Sequence, residues 1–342
     1  MRLDEKLRAL VSLGNYLRAE IHKEPLQSEL QKAYALNPWF TVVNSEKALQ
    51  AIADNFLTEK ALSAVNEKYA LHEISSSNII GLVLAGNIPA VGFHDILCVF
   101  LTNNKAQIKL SSKDSIIIRF LIKQLQKING HTSEYFEFVD RIQNYDAVLA
   151  TGGNNTSRYF EYYFKKVPHV IRKSRSSVGV VQDKISNQDI EELGSDVLSY
   201  FGLGCRNVSK IMVPEGYDVR NILKVWDLYE DINNHNKYRN NFDYSLALYL
   251  LNREEVLANN CVILRENSDV ASRISCVHYE YYFDHEDLFE KMNAKRDDIQ
   301  CIVGNTELNG FELFEFGQAQ FPGIFDYADG VDTIQFLMNI NG

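Results

Sequence analysis

The chain has 342 residues, 46% of them hydrophobic and 11% aromatic, which is enough apolar material for more than one core and too much for wholesale disorder. Its 45 acidic residues outweigh 35 basic ones, for a net charge of −10, and this argues against nucleic acid as the main partner, because a phosphate backbone selects a basic surface. No run of 18 apolar residues occurs, and "MRLDEKLRAL" is charged where a secretion signal would be apolar, so a cytoplasmic protein without an integral membrane segment is expected.

The first elements read as helices. Residues 4–21 place Leu7, Leu10, Val11 and Leu17 at helical spacing, and the stretch from 45 to 69 continues the pattern with Ser45 as its candidate N-cap. From about residue 78 the rhythm becomes strand, turn, helix, repeated. "NIIGLVLAG" and "YDAVLATGG" are buried strands ending in glycines, "AQIKL" is a short strand between them, and residues 111–130 form a helix with Ser or Asp caps. That alternation marks a parallel sheet with crossover helices, whose ligands bind beyond the carboxyl ends of the strands, here "AGNIPAVG" and "TGGNNTSR". Spacing alone leaves a cofactor site and ordinary tight turns equally open at both places.

A second strand and helix region follows: strand at 176–183, helix from near Ser186, strand at 209–216. Between them "YFGLGCRNVS" puts Cys205 on a connection after Gly202 and Gly204, with Arg206 beside it as a cation able to lower a thiol pKa. Cys98, Cys261, Cys276 and Cys301 lie in apolar strings and read as buried small hydrophobes. The five cysteines contain no C-x-x-C pair, so neither a disulfide frame nor a metal site is expected. The basic run at 164–177 reads either as a solvated strand approach or as a site for a phosphorylated cofactor or carrier.

Taken together, "LAGNIPAVGFHD", "AQIKLSSKDS", "VLATGGNNTSRYF", "RKSRSSVGVV", "YFGLGCRNVSKIMVP" and "FGQAQFPGIFDYADGVDTIQFL" occur in an order that resembles the LuxC-type acyl-CoA reductases, relatives of the aldehyde dehydrogenase superfamily. The resemblance spans about residues 78 to 342. It implies an α/β, aldehyde dehydrogenase-like fold. A helical N-terminal segment and Rossmann-like cofactor domain would cover 1–175, an α/β catalytic domain 176–315, and a return segment 316–342. It further implies Cys205 as the nucleophile, Asn87 as an oxyanion-hole donor, Lys109 on the cofactor's adenosine ribose, and Thr151, Gly152 and Gly153 at its phosphates, with Gly153 replacing the superfamily's serine. The substrate would be an acyl-CoA or related acyl thioester, fatty or aromatic, with CoA as the carrier. The reductant would be NADPH, with NADH as the alternative, and the assembly a homodimer or higher homo-oligomer.

The implied chemistry suits the residue types. A Cys205 thiolate attacks the thioester and releases the carrier thiol, and the enzyme-bound thioester is then reduced to the aldehyde. Asn87 and the Cys205 N–H would stabilise the oxyanion. Hydrolytic aldehyde dehydrogenases carry a general-base glutamate where this chain has "RKSRSSVGVV"; its absence favours thiol exchange over hydrolysis. The superfamily's glutamate for the nicotinamide ribose is also absent from its expected place in "SDVASRISCVHYEYY", with Glu280 and Glu312 as candidates that read more simply as exposed acids. His94 and Asp95 read as cap and packing residues or as orienters of the thiol. Gln318, Gln320, Pro322, Asp326 and Asp332 resemble the family's ending, for site closure or a dimer contact. A cysteine acyltransferase without a hydride step and a binding scaffold of the same fold are the competing readings.

Overall fold

The structure, a computed structural model, describes residues 1–73 and 77–340. The last two positions of the span carrying the family resemblance, 341 and 342, lie outside the described residues. The chain forms two compact units, Met1–Ser174 together with Pro322–Gly342, and Arg175–Phe321.

The first unit opens with four helices, α1 (Leu3–Glu20), α2 (Leu26–Leu36), α3 (Val42–Asn55) and α4 (Glu59–Tyr69). Leu10, Leu13 and Leu17 form the buried stripe of α1, while Leu7 and Val11 lie at its edge. The stretch predicted as one helical segment from Ser45 is two helices. Thr41 accepts the Asn44 N–H to start α3, and Thr58 accepts the Ala61 N–H to start α4. Ser45 is buried inside α3, its hydroxyl on the Phe40 carbonyl. Thr41 comes first in the chain and takes the free N–H that defines a cap.

A parallel sheet follows, from β1 (Ile79–Val83), α5 (Phe93–Leu101), β2 (Lys105–Lys109), α6 (Ile117–Ile128), β3 (Phe136–Phe138), β4 (Ala147–Thr151), α7 (Asn154–Phe164) and β5 (His169–Arg172). The strand order is β3-β2-β1-β4-β5. Central β1 and β4 are buried on both faces, which is why their sequences are continuous apolar runs. The order reverses between β1 and β4, the point at which doubly wound sheets bind ligands. Helix α6 starts at Ile117 without a side-chain cap, so residues 111–115 form a turn beyond β2 rather than the predicted first helical turn.

The second unit contains β6 (Ser176–Val180), α8 (Asn187–Leu198), β7 (Val208–Pro214), α9 (Arg220–Trp226), α10 (Asn236–Leu251), β8 (Leu257–Ala258), β9 (Ile263–Glu266), β10 (Cys276–Tyr282), α11 (His285–Ala294), β11 (Ile299–Val303) and β12 (Leu313–Phe314). Its sheet runs β12-β11-β6-β7-β10-β9-β8, parallel throughout the described pairs except for β8 against β9. Helix α8 begins where predicted: Ser186 and Asp189 satisfy each other's backbone N–H groups in a capping box. Val178, Val180, Met212 and Ile302 fill the core of this unit.

The chain then returns to the first unit. Ile324, Tyr327, Ile334 and Leu337, the last two on α12 (Thr333–Asn339), are buried in the first unit's core. Asp332 caps α12 and accepts the Tyr69 hydroxyl at 2.6 Å, and Asp326 accepts the Gly323 N–H.

Candidate active site

The carboxyl edge of the five-stranded sheet brings together all the candidate residues that the sequence places in the first unit. Val83 pairs with Lys109 on one side and Ala150 on the other, so the turn after β1, the end of β2 and the end of β4 lie side by side. Asn87 is exposed on the β1 turn and Lys109 is exposed at the last position of β2. Thr151 ends β4, and Gly153 is the N-cap residue of α7 with no side-chain cap. A Cβ on Gly153 would meet nothing nearer than 3.9 Å, whereas one on Gly152 would press on Phe160 at 3.0 Å and Thr156 at 3.2 Å. A side chain at Gly152 would thus crowd its neighbours, while Gly153 leaves the helix N-terminus uncovered, where backbone N–H groups suit a phosphate. An exposed lysine, an open helix start and a switch point together fit a dinucleotide.

Asp114, expected among the Ser or Asp caps of the 111–130 helix, holds this edge instead of capping α6. Asp114, only 3% exposed, accepts the Ala90 N–H at 2.7 Å and fixes Ala90 in a left-handed conformation with φ of 56°, three residues after Asn87. Its other carboxylate oxygen is buried with no partner among the described residues, and burial pushes its pKa up to about 7. Gly86 lies against the same turn: a Cβ there would meet the Ser111 side chain at 2.5 Å and the Asp114 nitrogen at 3.2 Å.

In the second unit Cys205 follows α8 through a sharp reversal. Tyr200, Phe201 and Gly202 are all left-handed, with φ of 51°, 59° and 73°, and both aromatic rings are buried. Two bulky residues in that region are costly, and such strain persists only where the surroundings hold it. Phe201 stacks on His235 with centroids 4.3 Å apart. Cys205 is partly exposed, whereas Cys98, Cys261, Cys276 and Cys301 are buried. Burial raises all four of those thiols, Cys261 and Cys301 to about 12, so they stay protonated and pack as small hydrophobes. The Ser177 hydroxyl donates to the Cys205 carbonyl at 3.1 Å and lies 3.0 Å from the Cys301 sulfur. Asn207, polar and two residues after Cys205 in the sequence, takes a structural part there. Its side chain accepts the Gly204 N–H at 2.8 Å and donates to the Asp196 and Ser199 carbonyls at 2.9 and 2.8 Å. Asp196 in turn accepts the Gly317 and Ala319 N–H groups, which ties the "FGQAQF" segment, with its buried Gln320, to α8.

Several expectations change. Arg206 pairs with Glu312 at 3.2 Å and lies over the Phe314 ring, so the cation beside Cys205 is compensated by a carboxylate. Glu312 and Glu280 are half-buried rather than exposed, Glu280 being bonded to buried Lys210. Each is held by a cation. Arg172, offered for a cofactor or carrier phosphate, is 5% exposed and bridges Asp95 at 2.5 Å and Thr333 at 2.9 Å, and Lys173 pairs with Glu161. Asp95 therefore serves this ion pair instead of capping a helix, and His94 meets the Ile324 carbonyl at 2.9 Å. Both residues act within the first unit to hold the returning chain. Among the described residues no helix is long and apolar enough to cross a membrane, and no cluster of three metal-ligating side chains occurs.

Comparison with known proteins bears on the same residues. The family model "Acyl-CoA reductase (LuxC)" matches residues 41–225, which include Asn87, Lys109, Thr151, Gly152, Gly153 and Cys205. No curated protein matches the sequence. Among solved structures, aldehyde dehydrogenase 21 from Physcomitrella patens, in complex with succinate, superposes with a TM-score of 0.69 at 12% identity, over 99% of this chain and 84% of that one. The NADP complex of the NADP-dependent glyceraldehyde-3-phosphate dehydrogenase from Bacillus halodurans gives 0.67 at 12% identity, over 92% and 78%. An NAD-dependent aldehyde dehydrogenase from Sinorhizobium meliloti gives 0.68 at 11%, over 92% and 74%. At these identities the likeness is one of fold.

Proposed function

We propose, from the premise that the chain belongs to the acyl-CoA reductase (LuxC) family, that it reduces an acyl-CoA thioester to the aldehyde through an acyl-enzyme on Cys205. Family and fold support an oxidoreductase of thioesters or aldehydes that uses a nicotinamide cofactor. The observation that carries the finer reading is the contrast among the cysteines: Cys205 alone of the five is partly exposed, on a strained, glycine-flanked connection.

In this reading the Cys205 thiolate adds to the thioester carbonyl, the oxygen takes up the negative charge, and the carbonyl re-forms as the CoA thiolate leaves. Asn87 and the Cys205 N–H stabilise the charge on that oxygen in the addition and again in the reduction. Lys109 and the turn Thr151–Gly153 would hold the cofactor, NADPH by family resemblance, with the first unit as its domain and the second as the catalytic domain. The cofactor, when bound, supplies the hydride that brings the acyl carbon to the aldehyde level. No carboxylate lies in "RKSRSSVGVV", so water is poorly activated and the acyl-enzyme is kept for reduction.

The pairing of Glu280 with Lys210 and of Glu312 with Arg206 favours one second reading. Neither carboxylate stands out as a nicotinamide-ribose ligand, and a cysteine acyltransferase needs none. An acyl-CoA series supplied with NADPH or NADH separates the two, following reduced nicotinamide by absorbance together with free thiol. The reductase consumes nicotinamide in step with thiol release. Thiol release without nicotinamide oxidation would refute the reductase.

A further inference from the structure

The end of α8 poses a packing problem that one side chain answers. Because Tyr200, Phe201 and Gly202 turn left-handed, the chain stops supplying helical N–H donors to the last carbonyls of α8. Asn207, 2% exposed, donates from its amide nitrogen to one of these, on Asp196, and to the carbonyl of the C-cap residue Ser199, while its amide oxygen accepts the Gly204 N–H. Only this orientation of the amide works, since the flipped one would set oxygen against carbonyls and NH2 against an N–H.

The backbone of Asn207 adds two more bonds. Its N–H donates to the Gly204 carbonyl at 3.1 Å, and its carbonyl accepts the Ser177 N–H at 3.0 Å. The peptide before Cys205 is thereby anchored through the Gly204 oxygen, and the peptide after it through the Cys205 oxygen, which the Ser177 hydroxyl holds. In a trans peptide N–H and C=O point in opposite directions, so anchoring the Gly204 carbonyl on Asn207 aims the Cys205 N–H away from Asn207. With both flanking planes set, so are the backbone dihedral angles of Cys205, and with them the direction of its N–H. Asparagine suits the place because it offers donor and acceptor together without charge. Aspartate would face two carbonyl oxygens with an anion.

We propose that Asn207 is a positioning residue for the reaction at Cys205, and that with Ser177 it fixes the Cys205 N–H in the direction that stabilises the oxyanion. The proposal rests on the nucleophile reading above. A donor aimed before the reaction needs no reorganisation during it, and loss of one such donor typically costs about 10²–10³ in rate.

The test compares two reactions of the same thiol in the full-length chain. Acylation by an acyl-CoA needs the oxyanion donor; alkylation by iodoacetamide, a displacement at saturated carbon, does not. For Asn207→Ala we expect acylation to slow about 10²-fold or more, while alkylation stays within about threefold and its pH midpoint is unmoved, because no charge was removed. Ser177→Ala, a smaller change, should show the same selective pattern at about three- to tenfold; it decides the matter where Asn207→Ala does not fold. Equal acylation by variant and wild type overturns the proposal, and so does a parallel fall in both reactions, which marks loss of fold alone. A wild-type chain left unacylated at Cys205 refutes the nucleophile reading itself, and this inference with it.

Discussion

The loop carrying Asn87 and the loop carrying Cys205 both lean on a buried polar side chain, Asp114 and Asn207, but by different chemistry. Asp114 holds the first with a single bond to the Ala90 N–H and leaves an oxygen buried without a partner. Asn207 holds the second with its amide oxygen and nitrogen both satisfied. A neutral amide grips equally at any pH, whereas a buried carboxyl with a pKa near 7 changes charge within the working range. The support of the first loop is therefore pH-sensitive, and the support that Asn207 gives the second is not.

The severest break in this comparison removes what the second loop carries. Cys205→Ala should lower thioester reduction by at least about 10⁴-fold, measured as nicotinamide consumption and thiol release together, with folding unchanged by circular dichroism.

Next comes Asp114→Asn, which keeps an acceptor for the Ala90 N–H and removes the titration. Folding raises the Asp114 pKa from its ordinary 3.8 to about 7, so the folded state binds the extra proton between those values. Its stabilising contribution is complete below pH 3.8 and is lost as pH rises through 7, a span of at most about 4 kcal/mol. Urea denaturation should show the variant gaining on wild type from pH 4 to pH 8; a constant difference would remove the contrast between the loops. Asn87→Ala should reduce the acylation rate about 10²–10³-fold without changing stability. Gly86→Ala, which crowds Ser111 and Asp114, should cost about 1–3 kcal/mol in denaturation experiments. Smallest of all, Gly153→Ser fills open space at the start of α7 and should change stability by only about a few tenths of a kcal/mol.

Much of this was legible where one local pattern decides the outcome. β1 and β4 read correctly because strands buried on both faces must be apolar along their whole length, and four cysteines read as buried because their neighbours are apolar. Where the deciding partner lies elsewhere in the chain, the reading failed. Arg172 sits in a basic run that looks solvated, but its carboxylate partner Asp95 is 77 residues earlier. Ser45 had the right residue type for a cap, yet Thr41 met the free N–H first. Asp114 and Asn207 were visible as polar residues at turns, types that bond nearby backbone. Nothing local showed that the Asp114 bond would run to Ala90, or that Asn207 would reach back to the end of α8.

The central claim is that Cys205 accepts the acyl group, and mass analysis of the Cys205 peptide tests it most directly. After incubation with an acyl-CoA and no nicotinamide, the account predicts the acyl mass on Cys205 with one CoA released per chain, then its discharge as aldehyde when NADPH is added. An unmodified Cys205, or an acyl group that neither NADPH nor NADH discharges, would contradict it.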